Sequence, residues 1–267
     1  MSTQKRSFFS RLDIRFPWLK IVAICFVVLV VVLDLLGLTI SGVRDPDNRI
    51  RVAPMSQHVR IRRDYKGKKL VALTFDDGPS SATTPRLLDI LAEKDVRATF
   101  FVLGNMARSN PDIVRREAKE NHVVASHTMY HQNLIRIPAA SAKADISEAK
   151  SNLKNILGVT PTLTRPPYGN TNGTVSGYIG TPIILWSVDT LDWKSKNVDS
   201  ILAVTKSEVH DGAIILLHDI YNTSVDAAAR IIDELRKDGY EFVTIPELAR
   251  ERGIKLSAGT IYYSLKP

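Results

Sequence analysis

Cysteine is almost missing from this chain: Cys25 is the only one in 267 residues. No intrachain disulfide can form, and cysteine usage carries no information about the redox compartment. No serine or cysteine is placed with a base in the manner of an activated nucleophile, which argues against covalent acyl-enzyme chemistry. Internal repeats and low-complexity tracts are absent, which sets aside solenoid and disordered architectures. With 44% apolar and 24% charged residues the composition is that of a globular protein. The length suits one domain of barrel size with an appendage, and is too short for two ordinary enzyme domains with linkers.

A long apolar run occurs once. Ile21 to Leu33 carries no charge, and the run continues through Asp34 to Ile40, which is the span of a bilayer core. Lys5, Arg6, Arg11, Arg15 and Lys20 precede it. No small-residue cleavage site follows, so the reading is an uncleaved, single-pass anchor rather than a secretory signal. The positive flank places residues 1–20 in the cytoplasm, 21–40 in the cell membrane, and the rest outside the cell. Asp34 is costly in lipid unless it lies near the outer interface. Residues 41–68 are polar and basic, with Pro46 and Pro54, and read as a juxtamembrane linker with a strand near Val59–Ile61. The net charge of +8 and pI near 9.5 fit attraction to anionic surfaces such as phospholipid or an acidic wall. No nucleic-acid partner is expected, because the charge is thickest beside the apolar segment.

From Lys69 to the end, short apolar runs alternate with longer amphipathic segments. Leu70–Phe75, Ala98–Leu103, His122–Ala125, Ile183–Val188, Ala213–Leu217 and Glu241–Thr244 read as strands. Pro85–Lys94, Pro111–Glu120, Ala139–Leu157, Val198–His210, Ser224–Asp238 and Ile245–Arg252 read as helices. Strand-then-helix alternation means an α/β fold with parallel strands. Reactive residues follow several different strands: Asp76 and Asp77, His127, Asp189 and His218. A (β/α) barrel gathers such ends on one rim, whereas an open sheet gathers them only at a switch point. The barrel fits better.

Adjacent carboxylates oppose joint ionisation, and a divalent cation removes that cost. Asp77 with His127 and His131, two imidazoles four residues apart, would form a three-ligand site, leaving Asp76 free to take a proton. The mixture suits zinc, with cobalt, nickel or manganese as alternatives. His122 lies within an apolar strand and reads as structural; His58 and His210 read as surface residues. In Arg165-Pro166-Pro167-Tyr168-Gly169 the prolines stiffen the loop, so Arg165 can orient the free carboxylate and the Tyr168 backbone N–H can point into the site. His218 ends a strand and reads as a general acid held by a carboxylate. Asp189 is the first choice for that partner and Asp192 the second. Trp193 offers an apolar face for a sugar ring or an acetyl methyl.

Taken in order, TFDDGP, SHTMYH, RPPYG, DTLDW and LLHD resemble the five motifs of the polysaccharide deacetylase family, carbohydrate esterase family 4. The resemblance spans about Lys69 to Leu248. It implies a distorted (β/α)7 barrel, here preceded by a single transmembrane helix. It also implies Asp76 as general base, Asp77, His127 and His131 as metal ligands, and His218 as general acid. Arg165 and Asp189 would hold base and acid, Tyr168 would lend its amide, and Trp193 and Leu216 would line an acetyl pocket. The implied activity is metal-dependent removal of N-acetyl groups from an extracellular glycan, above all N-acetylglucosamine in peptidoglycan. A chitooligosaccharide deacetylase, a polysaccharide O-acetyl esterase and a non-catalytic carbohydrate binder are the alternatives. Asn121-His122-Val123 departs from the Gly-His-Glu often found in the family, outside the ligand set.

Overall fold

The computed structural model describes residues 65–266. The expected cytoplasmic segment, the anchor, the strand near Val59–Ile61 and the linker as far as residue 64 lie outside the described residues. Among the described residues no helix is long and apolar enough to cross a membrane. Tyr65, assigned above to the linker, is buried against the core with Leu70, Phe101 and Leu248. The folded unit therefore begins by Tyr65 rather than at Lys69.

The architecture is α/β, built on a parallel sheet. β1 (Lys69–Asp76) is its spine. After the exposed Lys69 every residue of this strand is buried, as expected for a parallel strand covered on both faces. β2 (Thr99–Val102) and β6 (Ala213–His218) flank it, followed outward by β3 (Val123–Ser126) and β5 (Val188–Asp189). β7 (Tyr240–Phe242) pairs with the first residues of β1. The crossover helices are α1 (Thr84–Glu93), α2 (Gly104–Ser109), α3 (Pro111–Lys119), α4 (Ala139–Leu157), α5 (Gly173–Ile179), α6 (Asp192–Ser195), α7 (Val198–Glu208), α8 (Asn222–Lys237) and α9 (Ile245–Glu251). The apolar faces of α1, α2, α3, α4, α7 and α8 close on Val71, Leu73 and Phe75. Leu70 and Ala72 face a second cluster with Phe101, Ile214 and, from α9, Leu248, and α5 packs in a third with Leu134, Ile146 and Ile183.

Ile183–Val188, expected as one strand, is two. β4 (Ile183–Ile184) pairs with β8 (Ile261–Tyr262), and β5 pairs with β6. The break has a local cause. The carbonyls of Ile184 and Leu185 accept hydrogen bonds from the Arg165 guanidinium at 2.9 Å each. They are thereby withdrawn from the ladder, and the chain changes neighbours from β8 to β6. Single bridges from Ser126 to Thr164 and from Thr164 to Ile183 join β3 to β4, and Ala213 to Ser264 joins β6 to the residues after β8. α2, α5, α6 and β8 were not expected from the sequence. Each is seven residues or shorter, too brief to show a period.

Candidate active site

β1 ends with Asp76 in direct register beside His218 of β6, so the pleat turns both side chains to the same face at neighbouring strand ends. Asp77 then leaves the strand with φ of 74°. Among the described residues eight non-glycine positions have positive φ; Asp77, Thr128, His131, Tyr168 and Leu191 are five of them. Non-glycine residues in this region are strained by about 1–3 kcal/mol each, and such strain collects where function demands a particular side-chain direction.

Asp77 Oδ1 lies 3.4 Å from Nε2 of His127 and 3.4 Å from Nε2 of His131. Those three atoms all fall within 4.8 Å of one another, and Asp77 Oδ1 is buried without a hydrogen-bond partner. A buried, orphaned carboxylate oxygen between two imidazole nitrogens is a donor set lacking its acceptor, and it fits a divalent cation. Burial alone would raise the Asp77 carboxyl. The adjoining imidazole of His127, with His131 and the more remote His218, instead brings it to about 2. Burial, reinforced by the nearby His127, lowers His131, favouring the neutral imidazole that ligation needs.

The histidines are held by the chain itself. His127 Nδ1–H donates to the Arg165 carbonyl at 2.7 Å, assigning the tautomer that leaves Nε2 free to ligate. Asp145 of α4 accepts the Met129 N–H at 2.7 Å, while the Gly104 and Asn105 amides of α2 donate to the carbonyls of Thr128 and Met129. Asp145 was not singled out from the sequence. The available signal was a carboxylate on the apolar stripe of Ala142, Ile146, Ala149 and Leu153.

Asp76 is buried. Its Oδ1 accepts from Arg165 Nη1 at 2.7 Å, and its Oδ2 lies 3.7 Å from His127 Nε2. Arg165 is fully buried and also donates to Thr74 Oγ1. Its guanidinium lies 4.0 Å above the Phe101 ring, so its plane and its charge are both fixed.

His218 donates from Nδ1 to Asp192 Oδ1 at 2.8 Å. Asp192, not Asp189, is its carboxylate partner, which reverses the order of preference given above. The cause is a local turn. Asp189 Oδ1 accepts the Leu191 N–H, and Leu191 takes φ of 54°, which brings Asp192 at the head of α6 against the end of β6. Asp192 further accepts from the His218 N–H, the Trp193 N–H and Ser224 Oγ. Burial pulls His218 down, but Asp192, aided by Asp76 and Asp77, outweighs it and lifts the imidazole to about 9.

Of the other expected residues, Tyr168 is exposed, and its ring meets His131 edge-on at 4.7 Å. Trp193 is exposed on α6. Leu216 is buried on β6, two residues before His218 and on the same face. His122 is buried, accepts the Ala98 N–H, and is pulled by burial, with Arg97 and Arg116 nearby, to about 4, which matches a structural residue. His210 is half-buried in its own turn, and His58 lies outside the described residues.

A three-donor metal cradle, a buried carboxylate clamped by arginine and a carboxylate-bound imidazole thus converge at the C-terminal ends of parallel strands, an arrangement suited to hydrolysis of an acyl bond. The chain matches the polysaccharide deacetylase family over residues 63–179. It is 42% identical over 213 residues to the peptidoglycan-N-acetylglucosamine deacetylase PgdA of Listeria monocytogenes, covering 80% of this chain and 45% of that one. It is 38% identical over 215 residues to a peptidoglycan-N-acetylglucosamine deacetylase of Bacillus cereus, covering 76% and 77%. A family 4 acetyl xylan esterase from Clostridium thermocellum, solved with a cobalt ion, superposes with a TM-score of 0.70 at 32% identity, covering 74% of this chain and 99% of that one. The chain belongs to the polysaccharide deacetylase family. It spans less than half the length of the Listeria relative.

Proposed function

We propose that this protein is a metal-dependent N-deacetylase of peptidoglycan N-acetylglucosamine, tethered to the membrane by residues 21–40 with its catalytic domain outside the cell. The observation that carries the reading is the pairing, at adjacent strand ends, of a carboxylate held by Arg165 with an imidazolium held by Asp192, both beside the Asp77–His127–His131 cradle. The (β/α)7 barrel is the fold we assign, supported by the single bridges that carry pairing from β3 through Thr164 to β4 and from β8 back to β6.

Asp77, His127 and His131 would hold the cation, which we take to be zinc. When bound, it supplies Lewis acidity to the acyl oxygen and to the attacking water. Asp76 accepts the proton of that water through Oδ2, because Oδ1 is committed to Arg165. The Tyr168 amide is assigned to the oxygen that becomes negative. His218 delivers the proton from Nε2 to the departing nitrogen, its Nδ1–H being engaged by Asp192; without that proton an amide nitrogen is a very poor leaving group. Leu216 and Trp193 are assigned to the acetyl methyl.

The same groups could cleave an O-acetyl ester, as the name of the Clostridium thermocellum relative suggests. Incubation with purified wall glycan, chitin oligomers and acetylated xylan, with acetate and new amines quantified, tests the assignment. Amines on N-acetylglucosamine units are the expected result, and acetate from xylan alone would replace the reading with the esterase.

A further inference from the structure

Beyond the cradle, one cation on the acid side of the site has no assigned role. Lys196 follows α6, the one-turn helix that begins with Asp192, and its own N–H returns to the Asp192 carbonyl at 3.1 Å. The backbone at Lys196 takes φ of 44°. Its ammonium lies 4.8 Å from the centroid of the Tyr221 ring, and that ring is 6.2 Å from the imidazole of His218. Lys196 is exposed, and its ammonium meets the Tyr221 ring rather than a carboxylate. The acids nearest this edge are already engaged: Asp192 by His218, Asp76 by Arg165, Asp77 by the cradle.

An ammonium resting on an aromatic face keeps its charge while losing part of its freedom. Here that face belongs to Tyr221, itself within the field of Asp77 and Asp192. Through Tyr221, Lys196 borders the part of the site nearest His218.

We propose that Lys196, carried on the Tyr221 ring beside His218, forms a subsite for a carboxylate on the sugar adjoining the one that loses its acetyl group. The inference rests on the deacetylase reading and deepens it. The substrate class becomes an anionic glycan in which N-acetylglucosamine alternates with units that carry a carboxylate, directly or on an attached peptide, as in peptidoglycan, in preference to a neutral chitin-like chain.

The test uses the full-length protein in detergent with three probes: purified peptidoglycan glycan strands, the same strands with their carboxyl groups blocked as methyl esters, and neutral N-acetylglucosamine oligomers. Lys196→Ala is expected to raise KM on the unblocked strands about fivefold, the range of a single rim ion pair, with kcat unchanged. Lys196→Arg restores KM, and esterifying the strands raises KM for the wild type but not for Lys196→Ala. Lys194→Ala, which removes an exposed lysine of the same helix turn, moves KM by less than twofold. Equal KM values for wild type and Lys196→Ala on the unblocked strands, or an equal effect of Lys194→Ala, would overturn the subsite. If no preparation releases acetate from any probe, the deacetylase reading is what fails. Co-sedimentation with insoluble wall glycan, before and after esterification, then still decides whether Lys196 reads the carboxylate.

Discussion

Asp76 and Asp77 are neighbours in the chain with different surroundings, because β1 ends between them. Asp76 stays on the strand and is clamped by buried Arg165; Asp77 turns to positive φ and meets two imidazoles. Asp77→Asn and His127→Ala are each expected to lose stoichiometric metal, measured by elemental analysis after dialysis, while circular dichroism stays as in the wild type. Retention of metal by both would refute the cradle. His218→Ala keeps its metal and loses roughly a hundredfold or more in turnover, the scale of general acid catalysis. As the proposed acid, His218 also sets a pH limit. With its folded pKa raised from 6.5 to about 9, His218 remains protonated through neutrality, and activity falls as pH rises through about 9. The linked stability has the same sign, being fully present below about 6.5 and lost as pH rises through about 9. Asp192→Asn removes the charge that lifts the imidazole, so the alkaline limb of the rate profile moves to lower pH; an unmoved limb would exclude Asp192 from tuning the acid.

At the scale of elements, α4 acts on chemistry it does not touch. Asp145 fixes the Met129 amide between His127 and His131. Asp145→Ala leaves that buried donor unmatched, at a cost of about 1–3 kcal/mol, and is expected to weaken metal binding about tenfold in competition titrations with a chelator. Asp145→Asn retains an acceptor and should recover most of the loss. The same scale shows what could be read from sequence. α4 is legible because a long helix repeats its period several times, β1 because an unbroken apolar run suits a strand buried on both faces, and the grouping of Asp77, His127 and His131 because they lie in short distinctive motifs. The sequence does not rank the partners of His218 correctly, because Asp189 and Asp192 are both near a strand end. Only the left-handed turn at Leu191, invisible to pattern reading, separates them. β4 and β5 merged for a similar reason: a contact with Arg165, distant in sequence, breaks an apolar run that shows no interruption of its own.

For the whole molecule, removal of residues 1–40 is expected to release the protein from membrane pellets while leaving acetate release from soluble oligomers within twofold of the full chain. Loss of that activity would tie the N-terminal segment to catalysis. The ladder between β1 and β6 has a further consequence. Asp76 and His218 face the same side because each stands at an inward position of the pleat, on the same rung of the ladder. Inserting a single residue within Ala213–Leu217 would turn His218 toward the helices and bring a leucine inward, since strand faces alternate strictly. Insertions here could therefore be tolerated by twos, never by ones, and a folded but inert protein is the signature of an odd shift.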